Sequence, residues 1–162
     1  MPTPRLSSSP HRRRGFTLIE ALIVLAVIAL LASIALPSYK DVVRKSRRVD
    51  AMTALWSVHL AQERWRANRS AYATLLSAAP TASPAGLGLP ATTAGGHYTL
   101  AIDAADARGF SVTATAAEGS SQAGDAGCQR LRLIVDGGQV VYTAAGPHGD
   151  FDDAAARRCW GR

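Results

Sequence analysis

The residues from Phe16 to Leu36 form a nearly unbroken apolar run, interrupted only by Thr17, Glu20 and Ser33. A helix needs roughly 20 such residues to cross a hydrocarbon core, and this run is long enough. Arg12, Arg13 and Arg14 stand immediately ahead of it. Cations on that side hold the N-terminal end in the cytoplasm and send the rest of the chain outward. Cys128 and Cys159 then face an oxidising exterior, where two cysteines in a small domain are expected to form a disulfide.

The formal net charge of +6 follows the same topology. Arg5, Arg12, Arg13 and Arg14 contribute four of those charges before Gly15, with no acid among them. The remainder is only +2, so overall basicity is weak evidence for nucleic-acid binding. The first fourteen residues, rich in Pro, Ser and Arg, read as an unstructured leader.

Downstream of the apolar run, Pro37 removes one helix donor and is expected to kink or locally break the helix. An amphipathic pattern follows. Val49, Met52, Trp56 and Leu60 recur at spacings of three and four, with Val42 leading in and Trp65 following. Such a stripe is expected to pack on the protein's own sheet. One helix is therefore predicted from Phe16 to about Asn68. Ser70 to Gly96 is rich in Ala, Pro, Gly, Ser and Thr and reads as a long loop, with one helical turn near Tyr72 to Leu76.

Alternation predicts four short antiparallel strands in His97–Asp103, Gly109–Thr115, Gln129–Val135 and Gln139–Thr143. Tyr98, Leu100 and Ile102 share one face of the first. Phe110, Val112 and Ala114 do so in the second, and Leu131, Leu133 and Val135 in the third. Asp136-Gly137-Gly138 marks a hairpin turn. Gly146 to Trp160 is expected to be a loop that Cys159 ties back to Cys128. The predicted class is α+β: a long N-terminal helix packed on a four-stranded antiparallel sheet. The expected segments are a leader at 1–15, a membrane and assembly helix at 16–36, its amphipathic half at 37–68, and a globular loop and sheet domain at 69–162.

Glu20 discriminates between readings of the apolar run. A secretory signal cut after Ala35 and a plain membrane anchor both fit the basic flank and the apolar length. Neither accounts for a carboxylate at membrane depth, which costs a few kcal/mol unless it is partnered. No cation lies between Phe16 and Leu36 to pair with it. A new α-amino terminus would supply one.

Gly15-Phe16-Thr17-Leu18-Ile19-Glu20, followed by ALIVLAVIALLASIALPSY, resembles the N-terminus of type IV pilins. That resemblance implies cleavage between Gly15 and Phe16 by a prepilin peptidase and N-methylation of Phe16. It implies that Glu20 neutralises the terminal amine of a neighbouring subunit during fibre assembly. Pro37 matches a proline of the family's helix. Gln62-Glu63-Arg64, Tyr72-Ala73, the strands and the closing Cys159-Trp160 look like the globular domain of PilE-type minor pilins. The implied fold is an extended helix on an antiparallel sheet with a disulfide-bounded C-terminal region.

The expected function is that of a minor type IV pilin. Its expected partners are other pilin subunits, the prepilin peptidase, an inner-membrane assembly platform, and membrane lipid before assembly. The chain is expected in the inner membrane first and in an extracellular fibre afterwards. The alternatives are a type II secretion pseudopilin and a pilus-displayed DNA-uptake receptor. Arg130, Arg132, Arg157 and Arg158 are the candidate contacts for nucleic acid, and Arg44, Lys45, Arg47 and Arg48 form a second basic cluster. The second cluster, following a membrane span, has an ordinary alternative as a solvated or inter-subunit face. His148, Asp150, Asp152 and Asp153 do not match a calcium-loop spacing. The chain lacks a nucleophile elbow, a phosphate-binding glycine loop and a zinc spacing. No enzyme activity, cofactor or metal is expected.

Overall fold

The computed structural model describes residues 16–161. The expected leader, with Arg12, Arg13, Arg14 and the Gly15 side of the cleavage site, lies outside the described residues. The chain divides into two compact units, one ending at Tyr39 and one beginning at Lys40.

Helix α1 spans Leu18–Arg66. Thr17 precedes its first turn and accepts the Glu20 N–H through Oγ1 at 3.3 Å. This satisfies one of the donors that a helix start leaves open. None of residues 16–39 is buried. The local break expected at Pro37 does not occur, because α1 continues through it. One missing donor is a local loss in a long cooperative helix.

In the second unit four strands form an antiparallel sheet in the order β1-β2-β3-β4. They are β1 Tyr98–Ala105, β2 Gly109–Ala116, β3 Arg130–Asp136 and β4 Gln139–Ala145. Val112 lies opposite Ile102 on one side and Leu133 on the other, so the buried residues of three strands share a face. Gly137 and Gly138 close the β3–β4 hairpin with φ of +56° and +85°, a backbone that favours glycine at both positions.

The face of α1 that covers this sheet is not the predicted stripe. Ala51, Leu55, Val58 and Gln62 are buried, at spacings of four, three and four. Val42, Val49, Trp56 and Leu60 are 64%, 57%, 37% and 53% exposed. Met52 and Trp65 pack against the edge of the core. Gln62 is the reason that sequence reasoning chose the wrong face. A glutamine reads as surface, yet its Nε2 donates to the Ala73 carbonyl and its Oε1 accepts the Ala73 N–H, both at 2.8 Å. An amide whose nitrogen and oxygen each find a partner can be buried at small cost. That pairing also holds Ala73 in a non-helical conformation, so the helical turn expected near Tyr72 is absent.

The expected C-terminal loop contains a second helix, α2 Asp153–Trp160. Asp152 caps it by accepting the Ala155 N–H at 2.5 Å, and Gly161 ends it at φ +70°. Its signature was present in the sequence: an aspartate, three alanines, two basic residues in the last turn, and a glycine. Trp160 donates Nε1–H to the Thr143 carbonyl at 3.1 Å, and its ring lies 4.7 Å from that of Tyr142. Cys128 and Cys159 are bridged, as expected, with Cα atoms 5.6 Å apart. Closing a loop of this size contributes about 3–4 kcal/mol in the chain-entropy picture.

Candidate functional site

Phe16, Glu20 and Pro37 all lie in the first unit and are exposed. The Glu20 carboxylate makes no ion pair among the described residues. A threonine followed three residues later by glutamate is also a capping-box pattern, an ordinary reason for a glutamate at this position. Only half of that box forms. Thr17 accepts from the Glu20 backbone, while the return bond from the carboxylate is absent among the described residues. The acid therefore remains available to a partner.

Within the second unit, α1 carries two apolar stripes. At about 100° per residue, Val42, Val49, Trp56 and Leu60 fall within roughly 40° of one another. Ala51, Leu55, Val58 and Gln62 lie on the opposite side. The latter stripe is buried on the sheet and the former is open. An apolar face left open on a helix marks an interaction surface.

The four candidate arginines separate into two pairs. Arg130 donates Nε–H to the Gly146 carbonyl at 3.0 Å, also donates to the Gly149 carbonyl, and sits 4.9 Å from the Phe151 ring centre. Arg132 lies 3.6 Å over the same ring, donates to Thr113 Oγ1 at 2.9 Å, and is 3.3 Å from Asp103. These two side chains hold the segment after β4. Arg157 and Arg158 are exposed on α2, and their side chains make no hydrogen bond or ion pair among the described residues.

The second basic cluster also divides. Arg48 is committed to Asp125, and Arg44 contacts Asp41 at 3.4 Å. Lys45 is exposed and Arg47 is half-buried. His148, Asp150, Asp152 and Asp153 do not converge, and no group of metal-ligating side chains is present among the described residues.

Two buried polar groups carried no sequence signal: Gln122 lies in a short 3-10 helix at Ser121–Gly124, and Asp125 ends it. Gln122 donates Nε2–H to the Tyr98 hydroxyl at 2.7 Å, and the same atom is 3.3 Å from the Arg44 carbonyl. Burial pushes the Tyr98 pKa above its ordinary value, and the bond from Gln122 opposes that shift. Asp125 receives Arg48 on the neighbouring turn.

The sequence model described as type IV minor pilin ComP, DNA uptake sequence receptor, matches residues 37–132. That of the prokaryotic N-terminal methylation motif matches residues 10–36. The type IV major pilin protein PilA of Myxococcus xanthus is 38% identical over 68 residues, 42% of this chain and 31% of that protein. The type IV major pilin protein PilE1 of Neisseria gonorrhoeae is 30% identical over 94 residues, 58% of this chain and 41% of that protein. Fimbrial protein Q of Moraxella bovis is 57% identical over 37 residues, 23% of this chain and 24% of that protein. The chain thus spans less than half the length of the curated relatives it matches. No solved structure matches it.

Proposed function

This chain belongs to the family of type IV minor pilins described as ComP, DNA uptake sequence receptor, and from that premise we propose that it is a structural subunit of a type IV pilus fibre. It is made as a membrane-inserted precursor, cut between Gly15 and Phe16 by a prepilin peptidase, and methylated on the new amine of Phe16. The apolar residues Phe16–Leu36 hold it in the inner membrane until an assembly platform moves it into the fibre. There the domain from Lys40 onward is displayed outside the cell.

The observation that carries this reading is the doubly striped α1. One stripe is occupied by the protein's own sheet, and the open one through Val49 and Trp56 suits a neighbouring subunit's helix. Glu20 supplies register. A carboxylate without a partner in its own helix gains most from an incoming amine where water is excluded. Glu20→Ala is expected to permit cleavage and to lower recovery in sheared fibres. Normal recovery of that variant would contradict the assigned role.

A second reading, DNA uptake at the fibre surface, is favoured by the family's description and by one feature of the domain. Arg157 and Arg158 present two adjacent guanidinium groups on exposed α2, where they suit phosphate contacts. Display in a fibre and reception of DNA are compatible in one subunit.

A further inference from the structure

Five cations follow the apolar run within twelve residues of Leu36: Lys40, Arg44, Lys45, Arg47 and Arg48. Cations on that flank work against export, so the topology that explains Arg12, Arg13 and Arg14 does not explain these. The fold uses one of them, Arg48, which is paired with Asp125. Lys40 and Arg47 make no side-chain hydrogen bond or ion pair among the described residues. Arg44 pairs only with Asp41, at 3.4 Å, and the acid's side chain is 70% exposed. Such an exposed pair is worth little.

Helical geometry brings three of the five together. At about 100° per residue, Lys40, Arg44 and Arg47 fall within about 60° of one another, and Lys45 is at least about 100° from each. They lie on the side of α1 that carries Ala51, Leu55, Val58 and Gln62, ahead of the residues that the sheet covers. Positions three and four apart are neighbours on a helix, so three long side chains can reach one small anion. Helical side chains lean toward the N-terminus, which turns Arg44 and Arg47 toward Lys40. The turn at Ser121–Gly124 bounds Arg44 from the domain side. Gln122 Nε2 lies 3.3 Å from the Arg44 carbonyl, and a side chain at Gly124 would come within 3.1 Å of the Arg44 guanidinium. Like charges at these spacings repel one another, and a bound anion relieves that repulsion.

We propose that Lys40, Arg44 and Arg47 bind the phosphate of an anionic phospholipid in the outer leaflet of the inner membrane. This rests on the membrane-inserted precursor reading and adds to it the class of lipid and the residues that hold it. Lys40 stands four residues beyond Leu36, where the apolar run ends, so covalent spacing alone keeps it at the headgroup level. A zwitterionic headgroup carries its own ammonium beside the phosphate, so the site favours a lipid of net negative charge. A DNA duplex reaching Lys40 would have to lie against the bilayer, whose own phosphates repel it. Charge-assisted contacts from three side chains hold the helix at one depth until assembly withdraws it.

The test uses the full chain reconstituted into phosphatidylcholine bilayers containing a trace of spin-labelled lipid, either phosphatidylglycerol or phosphatidylcholine. The spectra give the association of each lipid with the protein, and the ratio is the headgroup preference. The leader's cations are common to every variant and cancel when variants are compared. Lys40→Gln, Arg44→Gln and Arg47→Gln together are expected to lower the preference for phosphatidylglycerol at least about threefold. Lys45→Gln removes one charge from another face and is expected to change it by less than about 1.5-fold. Lys40→Arg with Arg47→Lys keeps the charges and is expected to keep the preference. None of the altered residues is buried, so thermal unfolding should be unchanged in all three variants. A preference unchanged in the triple variant, or a loss as large with Lys45→Gln alone, would overturn the proposal. Suppression by inorganic phosphate at constant ionic strength would also overturn it, by assigning the site to a soluble anion. If the preference stands while duplex binding by the detergent-solubilised chain is lost with the same three substitutions, the face belongs to nucleic acid and the proposal falls. Absence of motionally restricted lipid of either kind counts against the membrane-inserted reading itself. Restricted lipid whose preference ignores the three substitutions counts against the lipid site alone.

Discussion

Arg48 and Asp125 meet through two parallel hydrogen bonds, Nε to Oδ2 at 2.7 Å and Nη2 to Oδ1 at 2.9 Å. Their side chains are 12% and 7% exposed, and the Asp125 carbonyl also accepts the Cys128 N–H at 3.0 Å. The pair thus fixes the start of the disulfide-closed segment to α1.

Removing one partner leaves the other charge buried. Arg48→Ala is expected to destabilise the domain by about 3–5 kcal/mol, whereas Arg48→Met with Asp125→Leu costs much less than either single change. Urea unfolding of the detergent-solubilised chain measures both. Equal losses in the single and double variants would count against an ion pair held by mutual compensation.

The open stripe predicts a separation between folding and assembly. Trp56→Asp and Leu60→Asp alter exposed positions and should change stability little, by about 0.5 kcal/mol at Leu60 and somewhat more at the partly covered Trp56. Both should sharply reduce recovery in sheared fibres. Leu55→Ala, on the buried stripe, should instead cost about 2–5 kcal/mol. Thermal unfolding alongside fibre recovery distinguishes the two faces.

Two groups give the domain opposite pH limits. Backbone N–H groups of Arg108 and Gly109 donate to the Asp106 carboxylate at 2.7 and 2.9 Å and hold its pKa below the ordinary value. That contribution is complete above the ordinary carboxylate pKa and fades as pH falls through the lowered folded value. Tyr98 behaves in the opposite sense. Burial raises its pKa, so its contribution is complete below the ordinary tyrosine value of 10.0 and fades as pH rises through the raised one. Tyr98→Phe should flatten the alkaline limb of a stability profile and cost about 1–2 kcal/mol at neutral pH by stranding Gln122. Asp106→Ala should flatten the acid limb.

DNA binding, if carried by α2, should follow the free arginines only. Arg157→Ala and Arg158→Ala are each expected to lower the slope of log affinity against log salt by about 1. Arg130→Ala should chiefly loosen the segment it holds around Phe151. Salt-titrated gel shifts, with thermal unfolding as the control, separate the two effects.

The strands were legible because one face is apolar in each, as with Leu131, Leu133 and Val135 in β3. The hairpin glycines and the cysteine pair were equally plain. The covering face of α1 was not. Hydrophobicity pointed to Val49, Trp56 and Leu60, yet the sheet takes Ala51 and a paired Gln62 against it. A helix with two apolar stripes offers no sequence criterion for which one faces inward. Helix α2 was missed despite its caps, because Gly146, Pro147 and Gly149 dominate the approach to it. Of the candidate arginines, type and position could not show that Arg130 and Arg132 would stack on Phe151. That depends on how the chain returns across the sheet after β4.

The most direct measurement is the mass of the N-terminal peptide of the chain recovered from sheared fibres. A peptide beginning at Phe16 and carrying one additional methyl group on its amine is the predicted result. A peptide beginning at Leu36, or one retaining Arg14 and Gly15, would contradict the account.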